Sequence, residues 1–164
     1  PLHQATKVNN LSMVNLLLDF GANPNITTEW QAGGDTPLMI AAANDFYEVA
    51  KLLLDYGADP TMRNNQGIPC LHIAAMNGSI ELAMLLISYG CDPNMRDNYG
   101  NNASFWAKRN GFEEFVTLSG VKPETISPEN NYYFRDFVDL KYLLITADDK
   151  KKMQKGKGKK KKKK

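Results

Sequence analysis

A stretch of sequence that returns at a fixed spacing is the feature that most constrains how this chain folds. Residues 36–60 read TPLMIAAANDFYEVAKLLLDYGADP, and a shift of 33 residues brings them onto 69–93, PCLHIAAMNGSIELAMLLISYGCDP. A shift of 36 residues towards the N-terminus brings them onto 1–3 and onto LLLDFGANP at 16–24. Self-similarity at a period near 33 residues indicates a stack of small units, each of which buries its apolar face against its neighbours.

Each copy contains two short helical patterns joined by a polar turn. In the second copy the turn is residues 44–46, and Gly57 closes the second pattern, where a residue that tolerates positive φ is favoured. Thr36 is a suitable helix N-cap, and Pro37 fits the first turn because its missing N–H has no helical partner there. We therefore predict one helix–loop–helix unit per copy.

These copies resemble the ankyrin repeat. The resemblance is carried by TPLMIAAAN, PCLHIAAMNG, LLLDYGADP and LLISYGCDPN, and it covers residues 1–118 in four copies. It implies an all-α solenoid in which a hairpin finger follows each helix–loop–helix repeat. It also implies the usual role of that family, which is binding another protein.

The first and last copies depart from the pattern. We expect the first repeat to be truncated, with helices at residues 1–9 and 11–20, and the finger after it to be three residues longer than the others. The fourth copy, residues 102–118, has Ser104 in place of a core leucine. Such degradation is typical of a terminal capping repeat, so we expect Trp106 to be packed inside this cap.

The composition divides the chain into three parts. Residues 1–120 are predicted to be the ankyrin repeat domain, 121–147 a linker with an aromatic extension, and 148–164 a disordered lysine-rich tail. The extension segment YYFRDFVDLKYLLITA (132–147) is assigned to a helix, although its aromatic and β-branched residues also suit a strand. It either packs back over the last repeat or folds on contact with a partner.

A net charge of +2 conceals two parts of opposite charge. Residues 150–164 hold 11 of the 20 basic residues and no acidic residue, so the rest of the chain is acidic. The alternative function is therefore an electrostatic tether, which attaches through this polybasic tail to nucleic acid, an anionic membrane or acidic cytoskeletal tails. The other interpretation is that the tail lies on its own acidic body. The lysines concerned are Lys150, Lys151, Lys152, Lys155, Lys157, Lys159 and Lys160.

No catalytic motif is present, so we expect no enzyme activity, no small-molecule substrate and no cofactor. The sequence contains no HExxH, no GxSxG and no glycine-rich phosphate loop after a strand. Cys70 and Cys91 give no metal-ligand spacing and are interpreted as small buried thiols in a reducing compartment. His72 matches a structural histidine of the ankyrin family, but Pro69 replaces the threonine that usually bonds to it.

The resemblance implies that the finger tips and the inner side of the repeats bind the partner. In such interfaces, aromatic and arginine side chains contribute most of the binding energy. Trp30 stands on a glycine-flanked loop and is either an anchor for the partner or folded onto the neighbouring finger. The finger positions are Trp30, Gln31, Arg63, Asn64, Gln66, Arg96, Asp97 and Tyr99, and the inner positions are Asn44, Asp45, Phe46, Met76 and Asn77.

We expect the protein to act as a monomeric scaffold inside the cell. The resemblance implies an intracellular protein, which we place in the cytoplasm, with the cytoskeleton and the nucleus as alternatives. No run of 18 apolar residues occurs, so we expect no membrane span.

Overall fold

The computed structural model describes residues 1–29 and 33–119, and these residues form eight short helices. The helices follow one another as four pairs, α1 (Leu2–Lys7) with α2 (Leu11–Asp19), α3 (Pro37–Ala43) with α4 (Tyr47–Asp55), α5 (Cys70–Asn77) with α6 (Ile80–Ser88), and α7 (Ala103–Arg109) with α8 (Glu113–Leu118). The described residues contain no β-strand, and two isolated bridges join Arg63 to Pro69 and Arg96 to Asn102. The all-α repeat fold expected from the sequence is confirmed.

Three of these helices, α2, α3 and α7, begin at a residue whose side chain caps the helix N-terminus. The Thr36 hydroxyl accepts a hydrogen bond from the Met39 N–H at 3.2 Å, and Asn102 Oδ1 accepts one from Phe105 N–H at 3.1 Å. Asn10 caps α2 in the same way. These bonds satisfy backbone donors that have no partner inside the helix. Pro69, at the position equivalent to Thr36, offers no such bond, so α5 begins without a side-chain cap.

The turn between the two helices of each pair requires a residue with positive φ. The equivalent positions are Asn9, Asp45, Gly78 and Gly111, with φ from 53° to 81°. Gly78 is needed for a second reason, because a Cβ at this position would lie 2.4 Å from the ring of Phe112 in the next repeat. The sequence of the turn is therefore set both by the local backbone and by the neighbouring repeat.

The core lies between the stacked helix pairs. The first helices of consecutive repeats pack on one another, and so do the second helices of the first three repeats. Ala41, Ala74 and Ala107 have no exposed surface and allow the first helices to approach closely, and Leu53 and Leu86 of the second helices are also fully buried. Each fully buried leucine contributes about 1.5–3 kcal/mol relative to an exposed one.

Hydrogen bonds between equivalent positions tie each repeat to the next. Asn77 Nδ2 donates to the carbonyl oxygens of Ala42 and Ala43 at 3.0 Å, and Asn110 Nδ2 donates to that of Met76 at 2.7 Å. At the C-terminal ends of α4 and α6, the hydroxyls of Tyr56 and Tyr89 donate to Asp19 and Asp55 of the preceding repeat. This hydrogen bond to a carboxylate raises the pKa of each tyrosine above its ordinary value.

The fourth repeat is closed by a buried aromatic side chain, as expected. Trp106 has no exposed surface, and its indole N–H donates to Asp97 Oδ2 at 2.9 Å. Ser104, which replaces a core leucine of the other repeats, is also fully buried. The predicted domain boundary at residue 120, the extension at 121–147 and the tail at 148–164 lie outside the described residues and stay predictions.

Candidate protein-binding surface

The candidate surface begins with the hairpin fingers between successive repeats. Finger 2 is residues 61–69 and finger 3 is residues 94–102. Each finger is closed by a short backbone pairing, from Asn64 N–H to Ile68 O at 3.2 Å and from Asp97 N–H to Asn101 O at 2.8 Å. Two fingers of the same length and register therefore project from neighbouring repeats.

Asn64 and Asp97 hold these two turns from the inside. Asn64 Oδ1 accepts hydrogen bonds from the N–H groups of Gln66 and Ile68, and Asp97 Oδ1 accepts the equivalent pair from Tyr99 and Asn101. Both side chains are buried. The oxygen atoms of these side chains are occupied by the finger backbone, which favours a structural role for both residues, and their predicted contact with a partner stays a prediction.

The fingers are also bonded to each other. Arg63 Nη1 donates to the carbonyl oxygen of Gly67 in its own finger and to that of Arg96 in the next. Arg96 Nη1 repeats the first of these bonds with Gly100. At Gly67, where φ is 72°, a Cβ would lie about 2 Å from the side-chain amide of Asn98, so a larger residue would strain the backbone and force this exposed amide to move.

Four of the predicted side chains stand on the outer edge of these fingers, and we call them the finger ridge. Arg63 and Arg96 are exposed, and Gln66 and Tyr99 are half-buried. Because the arginines occupy equivalent positions 33 residues apart, they place two positive charges side by side on adjacent fingers. The described residues carry 12 acidic and 6 basic side chains in total, so the ridge is a cationic strip on an acidic body.

The inner turn divides into exposed and structural residues. Asn44 and Asp45 are exposed, and Phe46 is half-buried. Met76 is only 8% exposed and belongs to the core, whereas Asn77 is occupied by its bonds to the preceding repeat. Burial of Met76 and the bonds of half-buried Asn77 favour a structural role for both side chains, and their predicted contact with a partner stays a prediction.

Other predicted contacts cannot be placed on this surface. Trp30 and Gln31 lie outside the described residues, and so do the lysines Lys150, Lys151, Lys152, Lys155, Lys157, Lys159 and Lys160.

The buried titratable groups are arranged for structure rather than for reaction. His72 donates from Nε2 to the Asn101 carbonyl oxygen at 2.9 Å, while Nδ1 has no hydrogen-bond partner. Burial lowers the pKa of this histidine, and it raises the pKa of Cys91 to about 11 and that of Cys70 further. Both cysteines are free thiols that stay protonated near neutral pH, so neither is activated as a nucleophile. Within 1–29 and 33–119, no His, Cys, Asp and Glu side chains are grouped as metal ligands require.

A groove between α2 and α4 is a surface feature that the sequence pattern did not predict. It has a volume of about 520 Å³ and is lined by Leu11, Ser12, Asn15, Leu16, Glu48, Lys51, Leu52 and Asp55. The sequence pattern assigns Leu11, Leu16 and Leu52 to the apolar faces of their helices, which gives no indication of a groove. The signal that could have revealed the groove is the pair Ser12 and Asn15, which stand where the second repeat has the longer Glu48 and Lys51.

None of the helices in the described part of the chain is long and apolar enough to cross a membrane.

Comparison with known proteins agrees with this architecture. The family model for ankyrin repeats (3 copies) matches residues 1–64 and again residues 57–118. Putative ankyrin repeat protein FPV219 of fowlpox virus (strain NVSL) is 36% identical over 70 residues, which are 43% of this chain and 15% of that protein. Human BCL-6 corepressor-like protein 1 is 39% identical over 66 residues, 40% of this chain and 4% of that protein. Human protein phosphatase 1 regulatory subunit 27 is 36% identical over 66 residues, 40% of this chain and 41% of that protein. The chain thus spans less than half the length of each of these relatives.

Proposed function

Since the chain belongs to the ankyrin repeat family, whose repeats generally mediate protein–protein interaction, we propose that it binds a partner protein through the finger ridge and the exposed inner turn. The observation that carries this proposal is the arrangement of Arg63 and Arg96. Both arginines are exposed residues, and hydrogen bonds from their guanidinium groups to finger carbonyl oxygens fix their position before any partner arrives. A preorganised arginine loses less conformational freedom on binding than a mobile one.

The chemistry of the ridge indicates the kind of partner segment it fits. Two neighbouring guanidinium groups suit carboxylates, which accept two parallel hydrogen bonds from each. Tyr99 adds an aromatic surface beside them, and arginine and tyrosine are enriched among residues that dominate binding energy. We infer a partner segment that combines acidic side chains with an apolar contact.

The proposed role is recognition without catalysis. The ankyrin family is generally a non-catalytic interaction module, and one relative is by its name a regulatory subunit. Both cysteines of the chain are free and buried, which is compatible with a reducing, intracellular compartment and with the cytoplasm as the proposed location. A monomer in solution is part of the proposal and is checked by light scattering on a sizing column.

The lysine tail supports a second candidate, attachment to a polyanion. The observation that supports this candidate is the charge asymmetry of the sequence, since 11 of the 20 basic residues lie in 150–164. Binding of this kind weakens steeply as salt concentration rises, whereas binding through a packed ridge depends on it less. The two candidates can therefore be separated in one experiment.

The experiment is co-precipitation from cell lysate, read by mass spectrometry, with four baits. They are the intact chain, the chain ending at Asp149, the ridge variant Arg63→Ala/Tyr99→Ala, and the matched outer-helix variant Lys51→Ala/Glu81→Ala. Thermal melting shows first that each bait is folded. If the proposal holds, one protein is retained by the truncated bait and the outer-helix variant but is lost by the ridge variant. Binding to that purified protein should weaken about 30-fold or more in the ridge variant.

Either of two results rejects the ridge as the binding surface. Loss of all captured material on truncation or in high salt assigns the binding to the tail. Equal capture by the ridge variant and the intact chain shows that recognition occurs elsewhere.

A further inference from the structure

The carbonyl oxygen of Asn101 joins finger 3 to helix α5. It accepts the backbone N–H of Asp97 at 2.8 Å, which closes the finger, and it accepts Nε2–H of His72 on α5 at 2.9 Å. His72 has no exposed surface, so the second bond lies inside the stack. The position of finger 3 therefore depends on the ring of a buried histidine.

Finger 2 closes in the same way without a histidine, so it serves as an internal comparison. Its closing bond runs from the Asn64 N–H to the Ile68 carbonyl oxygen at 3.2 Å. The position equivalent to His72 is occupied by Met39, a buried residue that cannot ionise. Protonation of the buried histidine can therefore act directly on finger 3 and not on finger 2.

The junction between His72 and finger 3 contains two buried polar atoms that have no hydrogen-bond partner in the described part of the chain. They are His72 Nδ1 and Asn101 Nδ2. Since Nε2 already carries a proton, a second proton would go to Nδ1 and would place a positive charge where no acceptor lies within reach. An unpaired buried charge is costly, so protonation favours release of the ring from the Asn101 carbonyl oxygen.

The charged side chains that face His72 come from the two fingers. The Asp97 carboxylate favours the protonated ring, and the Arg63 guanidinium opposes it. Helix α3 has no ionisable residue, and the other ionisable residue of α5 is Cys70. The charged residues of α6 and α7, which also pack on α5, are all exposed: Glu81, Lys108 and Arg109. Burial outweighs the Asn101 carbonyl and the Asp97 charge and holds the pKa of His72 below its ordinary value.

Finger 3 carries half of the finger ridge and helps to position the other half. Arg96 and Tyr99 belong to this finger, and the Arg63 guanidinium donates to the Arg96 carbonyl oxygen. Within the finger, Asp97 Oδ1 accepts the Tyr99 N–H at 2.9 Å, and Oδ2 accepts the Trp106 indole N–H at 2.9 Å. Displacement of finger 3 therefore disturbs both arginines and the tyrosine of the ridge together.

We propose that His72 is a positioning residue of the finger ridge, whose neutral ring holds finger 3 in the form that binds the partner and whose protonation releases that finger. Binding of an acidic partner segment is then coupled to the loss of one proton. The coupling to binding rests on the proposed function. The release of finger 3 does not, because it is measured in the chain alone.

The first measurement follows the two fingers in the full chain without a partner. Amide hydrogen exchange by NMR, at pH values from about 7.5 to about 5.5, gives protection factors for the Asp97 N–H of finger 3 and the Asn64 N–H of finger 2. Release of finger 3 returns His72 to the ordinary pKa of about 6.5, so its opening can increase about ten-fold at about pH 5.5. We expect the protection of Asp97 to fall by up to this factor relative to that of Asn64.

The two histidines of the chain provide a matched pair of variants. His72→Met copies Met39 of the second repeat and removes the ionisable ring, so the ratio of the two protection factors should no longer change with pH. His3→Met removes the other histidine, which bonds to the Asp35 carbonyl oxygen, and should keep the pH dependence of the unaltered chain. If His72→Met does not fold, the ratio in the unaltered chain still decides the question.

The second measurement is binding to the purified protein that the intact bait retains in the co-precipitation. If the protonated form does not bind, affinity should fall about ten-fold for each pH unit below the pKa of His72, which NMR measures in the same chain. The unaltered chain and His3→Met should show this fall. His72→Met should show only the pH dependence that comes from the partner.

Four outcomes overturn all or part of the proposal. An unchanged ratio of the two protection factors shows that finger 3 does not respond to His72. Equal loss of protection in both fingers shows that protonation loosens the whole stack. A pH-dependent ratio that persists in His72→Met assigns the effect to another group. Release of finger 3 without the expected loss of affinity rejects the coupling and the ridge as the binding surface, while His72 keeps its role in positioning the finger.

Discussion

Replacing Pro69 by threonine tests whether the absence of a hydrogen-bond partner at His72 Nδ1 lowers the free energy of unfolding. His72 is fully buried, and its Nε2 carries the proton because it donates to the Asn101 carbonyl oxygen. Its Nδ1 is therefore an acceptor, and it has no partner. In the second repeat the position of Pro69 is held by Thr36, whose hydroxyl oxygen accepts from the backbone N–H three residues later.

The backbone at residue 69 already has the conformation that the threonine requires. Pro69 has φ −79° and ψ 162°, and Thr36 has φ −81° and ψ 162°. The introduced hydroxyl can accept from the His72 N–H and donate to His72 Nδ1. The new cap contributes about 1 kcal/mol and the satisfied nitrogen about 1 kcal/mol more. Loss of the proline increases the freedom of the unfolded chain and offsets about 0.4–1 kcal/mol of this gain.

The expected net result is a stabilisation of about 1–1.6 kcal/mol, which corresponds to a rise in Tm of about 3–8 °C for a domain of this size. Urea denaturation and calorimetry measure it. Pro69→Val is the matched control, because valine has the shape of threonine without the hydroxyl. A second readout is the pKa of His72 by NMR titration, which should fall further when a hydroxyl donates to Nδ1. A threonine variant no more stable than the valine variant would refute the reasoning.

Three other substitutions or conditions test the packing and the buried charge. Leu53 is fully buried, so Leu53→Ala should lower the free energy of unfolding by about 2–5 kcal/mol in urea, and a loss well below this range would contradict the repeat register. Gly78→Ala should destabilise the fold because Gly78 has φ 71° and the new Cβ would clash with the Phe112 ring. Adding Phe112→Ser, which introduces the serine found at the equivalent position of the third repeat, should recover part of the lost stability. Purely additive effects in the double-mutant cycle would show that the two sites do not interact. Burial holds the pKa of His72 below its ordinary value of about 6.5, against the opposing effects of the Asn101 carbonyl and the Asp97 charge. The unfolded chain therefore binds this proton first, so stability that is complete above about pH 6.5 should decline as the pH falls below it; urea midpoints unchanged between about pH 7.5 and about pH 5.5 would contradict that sign.

The fingers show which parts of the candidate site could be predicted from the sequence. Their positions followed from the repeat spacing; Arg63 and Arg96 are exposed and Tyr99 is half-buried, and the prediction that they contact a partner stays a prediction. Asn64 and Asp97 were placed on the same edge but are buried. Their side chains can satisfy the turn's own N–H groups, and a one-dimensional pattern does not show whether a polar side chain bonds inwards or faces solvent.

The sequence by itself determined the register of the repeats, the helix pairs and the turns between them. These features are local, because capping, positive φ and the spacing of apolar residues act within a few positions along the chain. The tertiary structure alone decided which equivalent residues are covered. Met13 and Val49 read as the same position, yet one is exposed and the other buried. The burial of a side chain depends on which neighbouring repeat lies against it. The absence of a hydrogen-bond partner at His72 Nδ1 likewise depends on which atoms the fold places around it.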